Sequence, residues 1–125
     1  MFKFINPNPA GQMVGDCVIR ALSVATKMDW ETVYMRVCLQ GYLMNDMPSS
    51  NAVWGAYLRT LGYRRYAIPN ECPECYKIID FCSDNPDGTF IVATGNHVVT
   101  VIDGDYYDAW DSGDEVPIYY WRREN

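Results

Sequence analysis

Apolar residues recur at helical spacing through the first half of the chain and at strand spacing through the second. From Cys17 to about Lys27, Val18, Ala21, Leu22 and Ala25 line one face, with Asp16 available as a cap, so a helix is predicted with Cys17 in its first turn. Asp29 can cap a second helix whose stripe of Trp30, Val33, Tyr34, Val37 and Cys38 ends near Gly41. A third is predicted after Ser50, through Val53, Trp54, Tyr57 and Leu58, stopping at Gly62. A short fourth covers Tyr76 to Phe81, with Pro73 placed to open it. Between these two, Tyr63 to Ile68 has strand character. The opening segment, with Asn6-Pro7, Asn8-Pro9 and Gly11, reads as an irregular lead-in because residues before proline avoid the helical region.

After Asp87-Gly88 the pattern changes. TFIVAT, HVVTVI, YYDAWD and VPIYYW are short, rich in β-branched and aromatic residues, and separated by turns. They predict an antiparallel sheet, with Asp103-Gly104 as a two-residue hairpin turn. The expectation is therefore an α+β fold, an N-terminal helical lobe followed by a small antiparallel sheet.

Composition narrows the classes. A chain of 125 residues that is 49% hydrophobic can bury one core, so residues 1–125 are expected to form a single domain. Ten basic against sixteen acidic residues give a net charge of −6, which argues against nucleic acid or an anionic membrane surface as partner. The first fifteen residues hold no apolar run of the kind a secretory signal needs, and a cytoplasmic location is expected. The five cysteines are odd in number and dilute, so reduced thiols are expected. Cys72-Pro-Glu-Cys75 has the spacing of a zinc knuckle or redox pair, but no second CxxC completes a four-sulfur site, and neither metal nor any other cofactor is expected.

Candidate chemistry converges on the one histidine, His97. A two-residue turn at Asp103-Gly104 sets His97 opposite Trp110 and places Asp108 on its face; a three-residue loop would select Asp111 instead. Turn chemistry favours Asp108. Either register yields an imidazole oriented by a carboxylate, and Cys17 at a helix N-terminus supplies a nucleophile whose thiolate the helix dipole favours. Gln12, five residues upstream, is placed to donate to an oxyanion together with the Cys17 backbone N–H. The acidic Asp16 beside Cys17 would oppose thiolate formation.

The stretches GQMVGDCVIRALSVAT and TGNHVVTVIDGDYYDAWDSG, with Cys, His and Asp in that order, resemble the papain-like cysteine peptidase superfamily. They also resemble small papain-like proteins of gut bacteria and their phages, there including DMPSSNAVWGAYL and DEVPIYYW. The resemblance implies a papain-like fold and a hydrolase of amide, isopeptide or ester bonds in a peptide or protein substrate. It implies Cys17 as nucleophile, His97 as base then acid, Asp108 or Asp111 as orienting carboxylate, and Gln12 as oxyanion donor. The alternative is a non-catalytic binding module on the same scaffold, of phage or mobile-element origin.

Overall fold

The computed structural model describes residues 1–70 and 72–124. Among them the order is β1 (Phe2–Phe4), α1 (Cys17–Thr26), α2 (Trp30–Met44), α3 (Asn51–Thr60), β2 (Tyr63–Ala67), α4 (Ile78–Asp84), β3 (Thr89–Ala93), β4 (Val98–Ile102), β5 (Asp105–Asp108) and β6 (Tyr119–Arg123). The fold is mixed α+β, and the strands form one sheet in the order β1-β5-β4-β3-β6-β2.

The central strands are buried on both faces. Alternation along β3 and β4 sends Ile91, Ala93 and Val98 into a core with Leu22, Val33, Val37, Trp54 and Leu58 of α1–α3. Phe90, Val92, Val99 and Val101 pack instead on Ile78, Phe81 and Cys82 of α4. Helices on both faces make three layers, with the sheet in the middle. Thr100 is the one polar side chain of β4, and it is satisfied: its hydroxyl donates to the Ala21 carbonyl of α1 at 2.6 Å, tying that helix to the sheet.

Four expectations need correction. The sheet is not purely antiparallel: β1, read as part of an irregular lead-in, pairs parallel with β5. Pro73 does not open a helix. Its peptide bond with Cys72 is cis, and α4 starts later, at Ile78, where Asp80 accepts from the Lys77 N–H at 2.9 Å. Cys72 and Cys75 are joined in a disulfide across their own turn, where the Cα atoms are 4.5 Å apart, and are not the free thiols expected. Helix α2 also continues past Gly41 to a left-handed Asn45.

The hairpin that places the site is as the turn chemistry predicts. Ile102 pairs with Asp105, and Asp103 and Gly104 both take positive φ, 50° and 83°, as a type I′ turn requires.

Candidate functional site

Cys17 lies where α1 meets the sheet. As the first residue of the helix it has a backbone N–H with no intrahelical acceptor, and its half-buried side chain lines an open cleft of about 340 Å³ with His97 of the β3–β4 connection. The opposite wall comes from Tyr34 and Cys38 of α2 and Tyr119 of β6.

His97 is 8% exposed and held on two sides. Its Nε2 meets Asp108 Oδ2 at 2.6 Å, and its ring lies 4.8 Å from that of Trp110. Asp108, at the end of β5, is 1% exposed and has both oxygens occupied. Oδ2 also accepts from the Ser112 hydroxyl at 2.5 Å, while Oδ1 accepts from the Ala109 N–H at 2.8 Å and Arg20 Nη2 at 3.0 Å. So many donors fix the carboxylate and hence the ring.

Asp111, the alternative partner, is turned elsewhere. It accepts from the Tyr106 hydroxyl and the Gly113 N–H, which the two-residue hairpin register accounts for. Gly113 itself lies against Tyr106 and Ile79 with no room for a Cβ, so the loop that carries Ser112 is tightly seated.

The electrostatics of the three groups reinforce one another. Burial opposes ionisation of Cys17, but hydrogen bonding to His97, the charge of that ring, the Val98 backbone N–H and the Arg20 guanidinium together hold the thiol below its ordinary 9.0. Burial likewise opposes charge on His97, yet hydrogen bonds and charge from Asp108 and Cys17 push it up to about 9. Burial also opposes a charged Asp108, and the His97 and Ser112 hydrogen bonds, the ring's charge and the Ala109 N–H outweigh it. The arrangement favours a thiolate beside an imidazolium beside a carboxylate.

Asp16 neither caps α1 with its side chain nor stands as an uncompensated charge beside the thiol. It accepts from Arg20 Nη1 at 2.6 Å and from the Trp30 indole at 2.8 Å, so its charge is met within a buried Asp16–Arg20–Asp108 bridge. Sequence reasoning missed Arg20 and Ser112 as site residues. A signal was available for the first: a lone cation in the apolar segment CVIRALSVAT, one helical turn after an aspartate.

Gln12 is not brought into the cleft. The Asn8 side chain accepts from the Ala10 and Gln12 N–H groups, and Asn6 donates to the Gln12 carbonyl. The backbone is bound in an Asx turn and the residue is left exposed.

The remaining thiols differ in kind. Cys82 is buried in the α4 core, and its pKa is pushed up to about 11 by burial, partly offset by the N-terminal amine and reinforced by Asp105. Iodoacetamide at neutral pH should therefore modify Cys17 first, and Cys82 only after unfolding. Peptide mapping of partly alkylated protein checks this order; early labelling of Cys82 or Cys38 with Cys17 untouched would remove the chemical distinction drawn here.

Among the described residues no group of three or more acidic, histidine or cysteine side chains is arranged to hold a metal ion, and no helix is long and apolar enough to cross a membrane. Comparison of the chain with protein-family models, curated proteins and solved structures found no match.

Proposed function

We propose that the protein is a papain-like thiol hydrolase that cleaves an amide, isopeptide or ester bond of a peptide or protein substrate through Cys17, His97 and Asp108. The observation that carries this reading is the alignment of Cys17, the His97 ring and the buried Asp108 at one wall of an open cleft, with the ring charged and the thiol acidified.

In the proposed reaction the Cys17 thiolate adds to the substrate carbonyl carbon, and the resulting oxyanion is met by the unpaired first-turn N–H groups of α1. The imidazolium of His97 gives its proton to the leaving nitrogen or oxygen as the bond to carbon breaks, which leaves a Cys17 thioester. Water then adds to the thioester carbon while neutral His97 takes its proton. Collapse releases the carboxylate and restores the thiolate–imidazolium pair. Asp108 holds the ring oriented throughout and stabilises its charge; Arg20 and Ser112 hold Asp108. An amine in place of water would turn the same acyl-enzyme to transfer.

The reading is tested with a pool of fluorogenic peptides and esters. Turnover should be lost in Cys17→Ala while the fold, followed by circular dichroism, is kept. Turnover that survives in Cys17→Ala overturns Cys17 as the nucleophile, and its absence for every substrate together with failure of a haloacetyl reagent to label Cys17 favours the non-catalytic binding module.

A further inference from the structure

The sequence carries ten basic residues against sixteen acidic ones, yet five of those ten, Arg59, Arg64, Arg65, Arg122 and Arg123, belong to α3, β2 and β6, where the strand register sets Arg65 and Arg123 on the sheet face opposite Arg64 and Arg122. Arg122 is paired with Glu124 at 3.1 Å. Arg59 and Arg65 form no ion pair among the described residues. Their guanidinium groups are exposed and lie over aromatic rings, Arg59 5.1 Å from the centroid of Trp121 and Arg65 4.1 Å from that of Tyr119.

These two arginines line a groove of about 440 Å³ between α3 and β6. No carboxylate lines it. Trp121, packed closely on Gly55, belongs to its wall and has a buried indole N–H without a partner. The groove adjoins the cleft of Cys17, and Asn51 and Tyr119 line both. Charged side chains on an edge strand also discourage strand addition. That accounts for Arg64 and Arg65 on β2 but not for Arg59, which projects from α3 into the same groove.

We infer that this groove is an extended substrate subsite that selects peptides with acidic side chains four or more residues from the bond attacked by Cys17. The lower bound follows from α3: Arg59 lies two turns beyond Asn51, which lines the cleft of Cys17, and that rise of about 12 Å alone takes about four residues of extended peptide. The inference rests on the proposed thiol chemistry for its orientation toward Cys17. The charge selection is a property of the groove itself. Two exposed guanidinium–carboxylate contacts over aromatic surface correspond to roughly a tenfold preference at low salt, falling as ionic strength rises.

The test uses chloroacetyl-Gly-Gly-Gly-Glu-Glu-amide and its Gln-Gln counterpart as affinity labels for Cys17, with iodoacetamide as the probe that the groove does not touch. The Glu peptide should label wild-type Cys17 about tenfold faster than the Gln peptide at low salt. In Arg59→Gln/Arg65→Gln the two rates should converge while the iodoacetamide rate is unchanged. Equal peptide rates in the wild type, or a preference that survives in the double variant, overturn the subsite with the thiol chemistry intact. If iodoacetamide itself fails to label Cys17, the hydrolase reading falls. The groove is then judged by fluorescence anisotropy with acetyl-capped, dye-labelled versions: tighter binding of the Glu peptide, lost in the double variant, upholds acidic-peptide recognition, and equal binding overturns it.

Discussion

Asp108→Ala should slow alkylation of Cys17 near neutral pH by about tenfold or more, because the carboxylate supports the charged ring and through it the thiolate. Asp108 is a principal source of the rise of His97 to about 9 against the opposing pull of burial. Without the carboxylate, burial favours the neutral ring, and Cys17 loses the imidazolium that lowers its pKa. Asp111→Ala should leave the rate unchanged, because that carboxylate serves Tyr106 and Gly113. Stopped-flow alkylation of the two variants decides the matter: a slowed Asp111→Ala with a normal Asp108→Ala would reverse the assignment of the orienting carboxylate.

The largest loss of stability is expected at Arg20. Its side chain is 6% exposed and bridges two carboxylates that are themselves 6% and 1% exposed, so Arg20→Met leaves nearly buried Asp16 without its cation and Asp108 with the His97 ring alone. Breaking such a pair costs about 3–5 kcal/mol, well above the worth of an exposed ion pair. Urea unfolding at pH 7 measures it. Adding Asp16→Asn to Arg20→Met should recover part of the loss, because the two residues share one network and their effects do not add. A loss under 1 kcal/mol in Arg20→Met would mean that the bridge contributes little to stability.

Local rules made much of the site readable. The Asp29 cap with its 2.7 Å bond to the Thr32 N–H and the positive-φ Asp103-Gly104 turn follow from rules that act within a few residues, whereas α1 starts at Cys17 with no side-chain cap. The hairpin register then carries His97 to Asp108 with no further information. What stayed hidden depends on distant partners. Strand β1 has three residues, too few to show a period, and its partner β5 is about a hundred residues away. Arg20 shows in sequence only its local partner Asp16; the folded sheet brings Asp108 across to share it. Gln12 sits at a plausible spacing from Cys17, but the Asn8 turn holds its backbone and the residue is left exposed.

The claim on which the account rests is a thiolate–imidazolium pair between Cys17 and His97, and ultraviolet titration of the thiolate in wild type and His97→Ala tests it most directly. As pH rises, Cys17 should ionise below its ordinary 9.0 because the charged ring, the Val98 N–H and Arg20 stabilise the thiolate. The ring keeps its proton until about pH 9, so the pair occupies the window between these two steps; above it the thiolate persists while the proton donor is lost. In His97→Ala the Cys17 step should move up toward the ordinary thiol value. A thiolate that appears only near pH 9 in the wild type, unmoved by His97→Ala, would contradict the pair and with it the catalytic reading.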